Sequence, residues 1–385
     1  MRYVDRPMLE DRWHRISVAM RGAGLDALVL IGRGKIGQYG NIHYVSGHFL
    51  HSVHGYAVMF PGEPPVLVMG QRDQLFAKSR GAGDLLSGRR SVDMTGTNVF
   101  TPGAPPLAQE LCRVLTSHPI ANKTVGLVGL QTLMPVEDYL SVTQTLADVK
   151  FVDGSRPFAQ VKAIKTEAEI PFIEEAYAVA DAGYRRFEEV LAVGKTEWEV
   201  CAEIERTTRA LGALQSYNMA LLGGQYPRYP TERVLQQGDL VGCYVEVAMA
   251  SGYWVEKGGM MALGKPADED LELYRAAQRA MKGAEDKLMP GNKCADVARV
   301  ISAEANQKGY RIGIWNGHGV GVDHDIPVIA ESDNTVLQEG MVFSMHPHMV
   351  DAADVHGAFV AEQYLIRKDG AYRFSKIEPE LVWLG

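Results

Sequence analysis

The stretch Asn316-Gly317-His318-Gly319-Val320-Gly321-Val322-Asp323-His324-Asp325-Ile326-Pro327 constrains this chain more than any other. Gly317, Gly319 and Gly321 allow a turn and a close approach of backbone to a bound group, with His318 held between two of them. His324 follows six residues after His318, and a proline closes the segment. Downstream, Met345-His346-Pro347-His348 and Ala361-Glu362-Gln363 place further potential ligands in two strand-like segments.

With 385 residues, two domains are expected, each long enough to bury a core. A net charge of −8 disfavours broad nucleic-acid or anionic-membrane binding. No apolar run reaches the length of a transmembrane helix, and the opening MRYVDRPMLEDRWHR lacks a signal-peptide core. Cys112, Cys201, Cys243 and Cys294 are far apart, without zinc or CxxC spacing, and read as reduced packing residues of a cytoplasmic protein.

The first part alternates strands (27–31, 54–60, 65–69, 124–128, 149–152) with helical segments such as 136–147, the pattern of an α/β layer. A break is expected at 153–157, dividing an α/β domain (1–157) from a second domain (158–385). Beyond it, Thr166-Glu167-Ala168-Glu169 and Thr196-Glu197-Trp198-Glu199 read as capping boxes opening helices to about 191 and 211. Strands at 240–248 and 253–263, helices at 268–289 and 295–308, and strands at 340–349, 357–366 and 371–374 follow. Helix pair, strand pair, helix pair, strand pair implies a duplicated α+β unit, although no sequence repeat marks it.

Seven phrases, VKAIKTEAEI, VGKTEWEV, VLQQGDLV, SGYWVEKGGMM, GHGVGVDHDIP, LQEGMVFSMHP and VAEQYLIRKDG, stand in one order. That order resembles the pita-bread metallopeptidase family, in its aminopeptidase P, prolidase and creatinase branch, over roughly residues 158–385. The resemblance implies a creatinase/prolidase-type N-terminal domain, a homodimer, and a site built for two metals by two Asp, one His and two Glu. Here those five positions fall on Tyr244, Glu256, His318, His346 and Glu362. The family's upstream histidine has no counterpart near Tyr226-Pro227-Arg228, while His324 matches the downstream one.

The metal-ligand candidates are therefore Glu256, His318, His346 and Glu362. Two His and two Glu suit one divalent ion (Zn, Fe or Mn), or none as in creatinase, and supply too few bridging carboxylates for a standard dimetal centre. His318, His324, Glu256 and Glu362 are the catalytic candidates. The plain alternative for Glu256 is an ion pair with Lys257. Tyr244, Glu246, Trp254 and Arg228 are the substrate-binding candidates, the aromatics and glutamates suiting a cationic group and Arg228 a carboxylate. A one-residue bulge before Gly252 would present Glu246 in place of Tyr244. The resemblance implies a hydrolase of C–N bonds (amide, amidine or Xaa-Pro-like) in a small-molecule or dipeptide substrate. The alternatives are an Xaa-Pro peptidase with an atypical metal site, or a metal-dependent lyase resembling the dimethylsulfoniopropionate lyase of this fold.

Overall fold

The computed structural model describes residues 2–385 except 36, 52–53, 79–91, 99–100, 102, 223 and 315. Two compact units result, Arg2–Lys162 and Ala163–Gly385. No helix among the described residues is long and apolar enough to cross a membrane. All four cysteines are buried free thiols.

The first unit runs α1 (Arg6–Gly22), β1 (Ala27–Gly32), α2 (Gly40–Ser46), β2 (Gly55–Met59), β3 (Val66–Met69), α3 (Gln71–Lys78), β4 (Asp93–Thr95), α4 (Leu107–Leu115), β5 (Thr124–Val128), α5 (Val136–Thr145), β6 (Lys150–Asp153) and α6 (Ser155–Ala163). Its sheet has the order β4-β3-β2-β1-β5-β6, with β1 parallel to β5 and antiparallel to β2. Burial along all of β1 explains its unbroken apolar sequence. The break expected at 153–157 is the start of α6. There the Asp153 carboxylate accepts the Ser155 N–H at 2.9 Å, and Pro157 lies in the first turn, where no donor is needed. Helix α6 stays with the first unit, Phe158 standing edge-on to Tyr44 and Arg15 donating to the Val161 carbonyl at 3.2 Å. The division between the units, after Lys162, comes near the end of this helix, five residues beyond the one expected after residue 157.

The second unit runs α7 (Ile170–Val190), α8 (Glu197–Ala210), β7 (Gln215–Leu222), β8 (Leu240–Ala248), β9 (Trp254–Leu263), α9 (Asp268–Glu285), α10 (Cys294–Gln307), β10 (Arg311–Ile312), β11 (Gly317–Gly321), β12 (Asp323–Val328), β13 (Val342–Met345), β14 (His348–Val350), β15 (Gly357–Phe359), β16 (Glu362–Arg367), β17 (Gly370–Arg373) and β18 (Val382–Leu384). Its sheets have the orders β18-β9-β8-β7, β12-β11-β13-β16-β17 and β10-β14-β15. Thr196 and Glu199 form both hydrogen bonds of a capping box on α8, whereas Thr166–Glu169 closes a turn ahead of α7.

The two strands expected at 340–349 and 357–366 are each divided. Pro347 has no N–H for a ladder, so β13 leaves the five-stranded sheet at Met345 and the chain resumes as β14 in another sheet. Strands β15 and β16 make the reverse passage, and there Gly258 and Ala361 exchange backbone hydrogen bonds at 3.0 and 2.9 Å. That bridge ties β9 to the five-stranded sheet and brings the candidate ligands of both together.

Candidate metal and catalytic site

Strands β8 and β9 pair without interruption from Leu240↔Ala262 to Ala248↔Trp254, which sets Glu246 opposite Glu256 and Tyr244 opposite Gly258. The bulge considered from the sequence is absent. Tyr244 and Glu246 both share the face of Glu256, as the two-residue period of a strand requires. Tyr244 lies flat on Phe359, ring centroids 4.0 Å apart, so an aromatic pair fills the space where the family resemblance puts a carboxylate.

Glu256 is the hub. Its Oε1 lies 3.0 Å from His324 Nε2 and 3.5 Å from His318 Nε2, and its Oε2 accepts the Ser344 hydroxyl at 2.6 Å. The glycines around His318 serve close packing within the protein. A Cβ on Gly319 would stand 2.8 Å from the Ile326 carbonyl, and one on Gly321 2.7 Å from the Lys165 side chain. His318 Nδ1 sits 2.9 Å from the Gly319 carbonyl, a bond that orients the ring and turns Nε2 toward Glu256. His346 is held by its N–H to the Asn316 carbonyl at 2.9 Å, its ring centroid 5.3 Å from that of His318. Glu256, His318 and His346 offer ligand atoms all within 4.8 Å of one another, and a second group of Glu246, Glu256 and His324 shares Glu256 with the first.

Charge is partitioned across this cluster. Burial alone would raise Glu256, but His318, His324 and His346 outweigh it and hold the carboxyl well below the usual range. Glu246 moves the other way, pushed up by burial and by the Glu256 charge, which favours its protonated form. Burial lowers His318, with Glu256 offsetting only part, and leaves it a neutral imidazole. Burial also works against the charge on His324, yet Asp323 and Glu256 push it up to about 11. The surroundings thus drive the two carboxyls in opposite directions, and the two imidazoles likewise.

Two residues that the sequence places at the site do not join this group, and both differences have physical causes. Glu362 points to the opposite face of its strand, where its Oε1 pairs with the Lys257 ammonium and its Oε2 lies 3.3 Å from the Tyr177 hydroxyl. Both charged groups are buried, and Lys257 also lies 5.1 Å over the Tyr184 ring. The face of Glu256 is instead occupied by Ala361, since a Cβ on Gly258 would lie 3.2 Å from that of Ala361. Lys257, one residue from Glu256, is likewise turned away from it and forms no pair with it. Arg228 forms a two-pronged pair with buried Glu197 at 2.6 and 2.8 Å and holds that helix start rather than the cluster. Trp254 does share the face of Glu256, its ring 5.6 Å from His324, and its buried Nε1 has no hydrogen-bond partner among the described residues. Sequence reasoning misses Ser344, whose only signal is its place two residues before His346.

The sequence model of metallopeptidase family M24 matches residues 172–368, and that of the creatinase/prolidase N-terminal domain matches residues 12–164. The Xaa-Pro dipeptidase of Pyrococcus furiosus is 29% identical over 270 residues, 68% of this chain and 76% of that protein. The probable dipeptidase PepE of Mycobacterium tuberculosis is 27% identical over 277 residues, 70% of this chain and 72% of that protein. Among solved structures, the prolidase from Thermococcus sibiricus superposes with a TM-score of 0.82 at 18% identity, over 99% of this chain and all of that one (100%).

Proposed function

Because the chain belongs to metallopeptidase family M24, we propose that it hydrolyses a C–N bond in a small, dipeptide-like substrate with one bound metal ion rather than two. The observation carrying this is the hub at Glu256, beside two imidazoles, with Tyr244 and Ala361 facing the cluster where further carboxylates would be needed. Two divalent cations do not fit that donor set, since a single ionised carboxylate would have to bridge both. One does fit. Glu256, His318 and His346 would hold it, with Zn, Fe or Mn suiting two imidazoles and a carboxylate. Such an ion lowers the pKa of a bound water and polarises a carbonyl.

The chain's own groups divide the remaining work. Glu256 keeps its negative charge, and Ser344 fixes its orientation through Oε2. Glu246, opposite Glu256 on the same face and pushed toward its protonated form, is the general acid for the leaving nitrogen. His324 holds a proton at Nε2 against Glu256 and can support negative charge developing on a substrate oxygen. The second residue group is thereby filled by protons. The same reading has the chain acting as a cytoplasmic homodimer, and light scattering reports the assembly.

Metal analysis of protein purified without added metal tests the proposal. About one ion per chain is expected, falling well below that in His318→Ala; two ions per chain would sink it. Product analysis separates the chemistry, since hydrolysis of an Xaa-Pro dipeptide such as Gly-Pro or of a small amide yields an amine and an acid. An unsaturated product would instead point to the lyase alternative.

A further inference from the structure

Gln363 is fully buried, and neither atom of its carboxamide has a hydrogen-bond partner among the described residues. Its backbone is tied on both sides, the N–H donating to the Tyr177 hydroxyl at 3.2 Å and the carbonyl accepting from Phe374 N–H at 3.1 Å. The side chain therefore sits at a fixed place in the strand with its polar end unused. That place is informative. Gln363 stands opposite Ser344, and Ser344 stands opposite His318, so the three form one row across β16, β13 and β11. Ser344 in that row donates to Glu256, so the Gln363 side chain leaves its strand on the face that carries Ser344 and His318. Its neighbour Glu362, on the other face, has Lys257 and Tyr177 as partners.

A buried amide without partners is a standing cost, and an apolar side chain of the same size would be more stable there. We infer that the Gln363 carboxamide binds and orients the substrate, recognising a group that presents a hydrogen-bond acceptor and an N–H donor on one edge. A primary amide, a lactam or a ureido group meets that description. A carboxylate would leave the Gln363 oxygen unmatched, and the tertiary amide of an Xaa-Pro bond has no N–H to offer it. The inference deepens the hydrolase reading and rests on it for the location of the reaction centre. Within that reading it narrows the substrate to amides that carry an N–H.

The test is calorimetric titration of the metal-containing protein with glycinamide, 2-pyrrolidinone, Gly-Pro and propionate, on wild type, Gln363→Leu and Gln363→Met. Glycinamide and 2-pyrrolidinone should bind wild type most tightly and lose at least tenfold in both variants. Without ligand, both variants should melt at or above the wild-type temperature. Equal binding of all four probes, no binding, or unchanged affinity in the variants would overturn the inference. So would variants that melt several degrees lower, because the carboxamide would then be satisfied within the folded protein, for instance by an interior water. None of these readouts needs turnover. A protein that binds the amides through Gln363 but cleaves nothing would sink the hydrolase proposal alone.

Discussion

Lys257→Met should separate structure from chemistry at Glu362. The substitution keeps the length of the side chain and removes the ammonium, leaving a carboxyl with essentially no exposure beside Tyr177. Removing one partner of a buried pair costs about 3–5 kcal/mol. Burial already pushes Glu362 up, and Lys257 is the chief influence opposing it. Without the lysine the folded-state pKa rises further above its unfolded value. Stability from such a group is present in full below the unfolded pKa, about 4.3, and is lost as pH rises. The penalty should therefore be small at pH 4.5 and near its full size at pH 8. Urea unfolding followed by tryptophan fluorescence reads this well, because Trp198, Trp254 and Trp383 all belong to the second unit. With a slope of about 2–3 kcal/mol/M, the midpoint should fall by about 1–2.5 M at pH 8. The double variant Lys257→Met/Glu362→Leu should recover most of that loss, while bound metal stays constant throughout. A Glu362→Gln protein that unfolds like wild type but has lost its metal would refute the reasoning and restore Glu362 as a ligand.

Two further outcomes follow from the same geometry. In metal-stripped protein, His324, pushed up to about 11, contributes stability that is complete below its unfolded pKa of about 6.5 and is lost as pH rises toward 11. His324→Gln should flatten the decline in melting temperature between pH 7 and 11, and curves that remain parallel would remove the charged imidazole from the account. Arg228→Ala should destabilise the protein by about 1–3 kcal/mol, since Glu197 keeps its bonds to Thr231 but loses its cation. It should leave KM unchanged, and a KM that rises tenfold without loss of stability would return Arg228 to the substrate site.

Local rules make much of the second unit legible. Thr196 and Glu199 announce α8, and the uninterrupted hairpin of β8 and β9 follows from its apolar pattern. His318 and His324 fall where the glycine-rich phrase puts them. The ligand assignment that the geometry does not support, Glu362, lies on β16, and the reason is specific. Ala361, Glu362, Gln363 and Tyr364 are all buried, so no alternation of exposed and hidden residues reveals which of them face the reaction centre. A ligand assignment made by phrase is then one residue from inverting the strand, and the phrase selects Glu362 where Ala361 shares the face of Glu256. Arg228 fails for another reason. Its partner Glu197 lies 31 residues away, and nothing local distinguishes a paired arginine from one free to hold substrate.

The altered donor set also explains why the proposed single metal would persist. Two divalent cations need negative charge, and this face carries one ionised carboxyl, Glu256, close to charged His324. Burial and the Glu256 charge push Glu246 toward its protonated form, and His324 is pushed up to about 11, so a second ion competes with protons at both. A second ion must therefore displace two protons, so its apparent affinity should rise steeply, by up to a hundredfold per pH unit, while both groups remain protonated. Metal titrations at pH 6.5, 7.5 and 8.5 test this directly. The first ion should bind with less pH dependence than the second, because burial favours neutral His318 and the neighbouring histidines favour ionised Glu256. A second ion binding equally well at all three values would mean that Glu246 and His324 are already deprotonated, and the division of charge across the site would have to be redrawn.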